Sequence, residues 1–273
     1  MPEVEELREL VSRLVKEGSG ESPTEGLWRE PLLVSAMVDD RFLELRQMAA
    51  PDHLMPWELL PGARSLIVFF LPFRLELARE NRFGQEPARS WGVAYVETNS
   101  RIARVSQEIS AFLERQGYGC AVTPPTHNFD PVRLVSRWSH KHLGFLAGLG
   151  RFGHNSQLIT PRGCTGRLGS LVTQADLGDH PLDLGKEACL HKAGQPCLKC
   201  VDRCPVGALG HGGLDRQTCW ARLRQNRESA LSLAGLPETT HVCGKCVVMV
   251  PCSFHDPVSR LRSGSVNRPE PPP

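Results

Sequence analysis

The hydrophobic positions open the chain with a helix. Val4, Leu7, Leu10, Val11, Leu14 and Val15 recur at three- and four-residue steps with charged residues between them, the pattern of an amphipathic helix. A Pro61-Gly62 turn leads into Ser65-Leu-Ile-Val-Phe-Phe-Leu71, an unbroken apolar run of strand length that suits a buried strand. Helical spacing returns over residues 93–116 (Ile102, Val105, Ile109, Phe112, Leu113). Gly117-Tyr-Gly119 ends it, and Cys120-Ala-Val-Thr123 reads as another strand. A further helix is expected over residues 131–149. The β-like runs at 156–160 and 168–173 flank Pro161-Arg-Gly-Cys-Thr-Gly166, a stretch rich in turn formers, and so predict a hairpin.

After Leu184 the aliphatic periodicity weakens and cysteines become dense. The expected organisation is α+β. It comprises an α/β domain over residues 1–184, a cysteine-rich domain over 185–258, and a tail over 259–273 whose Pro-Glu-Pro-Pro-Pro ending reads as disordered. Composition agrees with a globular chain: 40% of the residues are apolar and 23% charged. The 25 Gly and 22 Pro predict many loops, and a formal net charge of +2 gives no argument for a polyanionic partner. The start, Met1-Pro-Glu-Val-Glu-Glu6, is acidic, unlike a secretory signal, and no apolar run is long enough to span a bilayer. A soluble, cytoplasmic protein without membrane association is expected. In that reducing compartment the ten cysteines read as metal ligands or reactive groups rather than disulfides.

Eight of the cysteines form two groups. The first is Cys189, then Cys197-Leu-Lys-Cys200-Val-Asp-Arg-Cys204-Pro205; the second is Cys219, then Cys243-Gly-Lys-Cys246, then Pro251-Cys252. The C-x2-C-x3-C-P element is the latter part of the ferredoxin run for [4Fe–4S] clusters, in which the cysteine before proline ligates the neighbouring cluster. The usual first cysteine would fall at Gly194, and Cys189 takes its place from a longer loop. Applying that rule, Cys189, Cys197, Cys200 and Cys252 hold one cluster, and Cys204, Cys219, Cys243 and Cys246 the other. The spacer from Cys246 to Cys252 is longer than the common pattern. Structural zinc on the two C-x2-C pairs would leave four neighbouring cysteines unexplained. Cys120 reads as a small core residue and Cys164 as a surface thiol in the hairpin turn.

Gly148-Leu-Gly150-Arg-Phe-Gly153 matches G-x-G-x-x-G, but a helix precedes it and a strand follows. A dinucleotide site needs the reverse order, so the glycines mark a tight turn or a close approach instead.

The segment Ala147-Gly-Leu-Gly-Arg-Phe-Gly-His-Asn-Ser-Gln-Leu-Ile-Thr160 resembles the A-G-L-G-x-x-G-K-N segment of the epoxyqueuosine reductase family, and the likeness runs on through residues 166–177. Leu60-Pro-Gly-Ala-Arg-Ser-Leu-Ile-Val68 is similar to that family's first core strand, and Leu214-Asp-Arg-Gln-Thr-Cys219 to the segment carrying its fifth cysteine. Reductive dehalogenases share the same plan. The resemblance implies a cobalamin- or flavin-reductase-like N-terminal domain followed by a two-cluster ferredoxin-like domain. The implied cofactors are two [4Fe–4S] clusters and a base-off cobalamin near Gly148, Gly150, Gly153 and Asn155. No D-x-H-x-x-G motif for histidine ligation of cobalt is present.

Some positions depart from the family. Its catalytic Asp segment aligns with Leu134-Val-Ser-Arg-Trp-Ser-His-Lys-His142, its D-Y-H element with Thr98-Asn-Ser100, and its Lys after the glycine turn with His154. The chain stops soon after the second cysteine group, short of the helical extension that grips tRNA, so tRNA is a doubtful partner. Candidate proton donors are His140, His142 and His154, with Asp130 behind them. The expected activity is an iron–sulfur oxidoreductase that reduces an unknown substrate at a corrinoid, fed by a donor such as ferredoxin or flavodoxin. The alternatives are a non-catalytic electron carrier or activator for a partner corrinoid protein, or a flavin in place of the corrinoid.

Overall fold

The computed structural model describes residues 2–17, 26–126 and 129–262. Four strands, β1 (Leu32–Met37), β2 (Ser65–Pro72), β3 (Cys120–Val122) and β4 (Gly166–Thr173), form one sheet in the order β1-β2-β4-β3. Every pairing in it is antiparallel. All eight residues of β2 are buried, which explains why it reads as an unbroken apolar run rather than an alternating one. Ile67, Phe69 and Leu71 point to one face, where α1 (Val4–Lys16) and α2 (Arg89–Glu114) cover them. Leu66, Val68 and Phe70 point to the other, beneath Phe42, Leu45 and α3 (His140–Leu146). The expected first helix, first strand and long helix are all present.

Phe69 is fully buried and its ring fills the space that a side chain at Gly169 would need: a Cβ there would stand 2.3 Å from the ring. Phe69→Ala therefore opens a cavity at the centre of the first core. It is expected to cost about 3–5 kcal/mol, seen as a lower urea midpoint in anaerobic unfolding.

Two expected elements differ. Residues 156–160 and 168–173 do not form a hairpin, because β4 already has β2 on one edge and β3 on the other. Leu158–Ile159 pairs instead with Arg151–Phe152. Nor is 131–149 one helix. The Asp130 carboxylate accepts the N–H groups of Val132 and Arg133 at 2.8 and 2.9 Å, and this local turn competes with helix formation. Phe129–Asp130 then pairs with Val135–Ser136, and the helix begins only at His140.

The cysteine-rich half docks on the sheet domain through a shared core. Phe73, Leu77, Trp91 and Tyr95 pack with Leu233, Val242 and Val248. Its main helix, α4 (Arg216–Ser229), is capped by the Asp215 carboxylate, which accepts the N–H groups of Gln217 and Thr218. Of the expected tail, residues 259–262 lie in a short helix, Pro257–Arg262. Residues 263–273 lie outside the described residues.

Candidate functional site

The fold sorts the eight cysteines by space rather than by sequence. Cys189, Cys197, Cys200 and Cys252 surround one narrow cavity. Cys204, Cys219, Cys243 and Cys246 line a second, larger one of about 270 Å³. Cys204 follows Cys200 by a single turn, yet faces the second group; Cys252, far along the chain, returns to the first. The turn at Lys199–Asp202 and the proline after Cys204 separate the two neighbours. Both groups border one small apolar cluster around Leu209 and Val250, so they lie side by side.

Burial and crowding raise several of these thiols. The Cys200 thiol is pushed up to about 11 by burial first, then by Cys252 and Cys189. The Cys219 thiol is likewise pushed up to about 11 by burial, Cys243 and Cys204. Cys246 is raised by the same causes. Thiols placed this way become thiolates when a metal takes up their charge. Among the described residues no three His, Cys, Asp or Glu side chains converge tightly enough for a single ion.

The second group is clamped to the sheet domain. Lys245, between Cys243 and Cys246, is 2% exposed and donates to the carbonyls of Asn81 and Phe83 at 2.7 and 2.8 Å. Asn81 returns a hydrogen bond to the Cys243 carbonyl at 2.9 Å. Asn155, also buried, donates to the Cys246 carbonyl at 3.3 Å.

Beside the second group lies a hollow of three adjoining lobes, of about 270, 240 and 350 Å³. The first lobe is the cavity of the second cysteine group itself. Arg167, on β4, lines all three. Its guanidinium lies over the Tyr95 ring, 4.3 Å from the centroid. Cys164 lines two of the lobes. It is buried rather than a surface thiol, because the 160–166 turn folds inward: its N–H donates to the Cys252 carbonyl, and its Sγ is 3.9 Å from that of Cys252.

Only one of the four proposed proton donors reaches this hollow. His140 lines it, with Nδ1 2.7 Å from the Ser170 hydroxyl and Nε2 3.2 Å from the Pro124 carbonyl. A carbonyl only accepts, which assigns the proton to Nε2 and makes Nδ1 the acceptor from Ser170. Burial pushes this imidazole down to about 4, so it is neutral near pH 7. His142 turns away to Ser139 and the Phe152 ring, and burial lowers it to about 3. His154 lines the first group's cavity and bonds the Gly210 carbonyl at 2.8 Å. Asp130 is paired with Arg133 at 2.8 Å and held down to about 2, chiefly by the Arg133 N–H and guanidinium.

The glycines expected near a cofactor also pack closely within the chain. A Cβ on Gly148 would meet Pro181 at 2.5 Å, one on Gly150 the Ile159 carbonyl at 2.6 Å, and one on Gly153 the Asn155 side chain at 2.7 Å. Lys141, which no sequence motif marks, also faces the hollow. It lines two lobes, donates to the Ser156 carbonyl at 3.0 Å, and is lowered to about 8 by burial and then by Arg216.

Fold and site define a helix-flanked antiparallel sheet joined to a module of two four-thiol groups. No family model matches the chain. Its curated relatives are epoxyqueuosine reductases, the family that its motifs resemble. The protein of that name from Bacillus cereus is 30% identical over 182 residues, which cover 63% of this chain and 43% of the relative. The match thus spans less than half of the relative's length. Among solved structures, an epoxyqueuosine reductase in complex with an epoxyqueuosine-modified tRNA-Tyr stem loop superposes with a TM-score of 0.53 at 17% identity, over 92% of this chain and 65% of that one. A reductive dehalogenase, described with a mechanism for B12-dependent dehalogenation, superposes with a TM-score of 0.57 at 16% identity, over 97% of this chain and 38% of that one. These likenesses place the fold with both groups of proteins.

Proposed function

We propose that the chain is an iron–sulfur reductase that acts on an organic substrate at a base-off corrinoid. In this reading Cys189, Cys197, Cys200 and Cys252 hold one [4Fe–4S] cluster and Cys204, Cys219, Cys243 and Cys246 a second. Residues 1–184 seat the corrinoid and residues 185–258 carry the clusters. The observation that carries the reading is the shared wall: the second thiol group lines the same hollow that Arg167, Tyr95 and His140 line from the sheet domain. Four thiols per group are the donor set of a cubane cluster. The aromatic walls (Phe73, Trp91, Tyr95 and Trp138) suit a broad, largely apolar cofactor. Bound there, the clusters supply single electrons and the corrinoid a reducing cobalt centre. The epoxyqueuosine reductase relatives and the B12-dependent dehalogenase neighbour support this assignment.

The chain's own residues supply the proton. Lys141, with an ammonium lowered to about 8, stands near neutrality, where a general acid works best. His140 spends both ring nitrogens on Ser170 and Pro124, so it positions rather than donates, and it offers no free nitrogen to cobalt. A hollow with its own acid favours a reductase over a simple carrier. A low-potential donor such as ferredoxin or flavodoxin would deliver the electrons.

Cob(II)alamin titrated anaerobically into the cluster-reconstituted protein is expected to convert from a base-on to a base-off EPR spectrum and to co-elute with the protein on gel filtration. An unchanged base-on spectrum with no co-elution would sink the corrinoid assignment.

A further inference from the structure

Arg167 stands apart from the other arginines of the sheet domain. Arg41, Arg64 and Arg133 each hold a carboxylate at 2.6–2.8 Å on the surface. Arg167 points from β4, opposite Leu71 in the register with β2, into the hollow. Its Nε is buried with no hydrogen-bond partner among the described residues. One face of its guanidinium is taken by the Tyr95 ring, which leaves the in-plane N–H fork for another group. Arg167 as a whole is half-buried, but a buried Nε–H left without an acceptor is costly, and an incoming anion would satisfy it.

The surroundings carry the same sign. Among the described residues, no Asp or Glu lines any of the three lobes. Lys141 and Arg216 line the third lobe with Arg167, and Arg222 lines the first. Arg222 and Lys141 face Cys243 and Cys219 respectively, so part of their charge answers the thiolates of the second group. Arg167 borders the same thiols in the first lobe, but among the described residues no hydrogen-bonded anion meets its Nε. The walls next to it are aromatic: Tyr95, Trp91 and Phe73.

We infer that the hollow holds a subsite for the carboxylate or phosphate of an organic anion with a flat apolar body, and that Arg167 receives it in a forked contact while Tyr95 fixes the plane of the fork. The anion is the substrate of the proposed reductase; for that word the inference rests on the functional reading above. A paired anion here would also stand beside Lys141, on the wall from which the proton comes.

The test uses the full chain with reconstituted clusters and no corrinoid. Benzoate, phenyl phosphate and neutral benzyl alcohol are followed by saturation-transfer NMR and calorimetry. Both anions are expected to bind and the alcohol not. Arg167→Gln should weaken the anions about 10- to 100-fold, and Arg167→Lys by less, with iron content unchanged. Arg216→Gln, at an exposed position, serves if the Arg167 variants lose iron: it should weaken the anions about two- to fivefold and flatten their salt dependence. Unchanged anion affinity in the folded variants, or equal binding of the alcohol, overturns the subsite. Cobalamin and cobinamide, which lacks the nucleotide phosphate, separate the two sources of the anion. If Arg167→Gln weakens only cobalamin and leaves benzoate alone, the ligand is the cofactor's phosphate and the substrate assignment is overturned. If no corrinoid binds at all but the anions still depend on Arg167, the subsite stands and the corrinoid reading fails.

Discussion

Cys204→Ser protein, purified anaerobically, should hold about half the iron of the wild type and lose one of its two reduced-cluster EPR signals. The informative part is which signal goes. Along the chain, Cys204 follows directly on Cys197 and Cys200. By space it lines the cavity of Cys219, Cys243 and Cys246. Cys204→Ser should therefore match Cys219→Ser and Cys246→Ser, while Cys252→Ser matches Cys189→Ser. Because the second group adjoins the hollow, its loss should also bring turnover to background, with the first cluster's signal left in place. A Cys204→Ser spectrum that matches Cys197→Ser would contradict the interleaved arrangement.

Lys141→Met should lower kcat by about 10²- to 10⁴-fold with reduced viologen as electron source and any substrate that the wild type reduces, the range typical for loss of a general acid. The pH profile separates a proton donor from a packing residue. Burial depresses Lys141 from the usual lysine value to about 8, so its ammonium is present below that pH and lost above it. Wild-type turnover should fall as pH rises through about 8, and the residual activity of Lys141→Met should lack that limb. His140 gives no limb in the same region, since it is already neutral above about 4. A wild-type profile flat from pH 7 to 9.5, or an unchanged limb in Lys141→Met, would remove Lys141 from the reaction.

The elements that the sequence made legible were those with local causes. The first helix has an apolar stripe, β2 has an unbroken apolar run, and the helix over Ile102 and Ile109 has a regular period; none of these needs tertiary information. The cysteine grouping was legible too, because the step from Cys200 to Cys204-Pro205 constrains where each thiol points. The hollow was not. Its walls come from the helix start at Lys141, the strand at Arg167, the long helix at Tyr95 and the module at Cys219, which meet only after the sheet order is known. In the sequence, Arg167 is one more polar residue just ahead of a β-like run, and Lys141 carries no motif of its own between two histidines. The glycine motif does mark a close approach, and within the chain that approach is to Pro181 and Ile159. The turn bonds and ion pair of Asp130 with Val132 and Arg133 were equally invisible in the sequence.

The proposed function needs two clusters beside a corrinoid. Iron, acid-labile sulfide, cobalt and flavin measured together in anaerobically purified protein, after incubation with hydroxocobalamin and gel filtration, test it most directly. About eight iron and eight sulfide per chain, with cobalt near one and no flavin, is the predicted result. About four iron per chain, flavin in place of cobalt, or a protein that emerges free of both would contradict it.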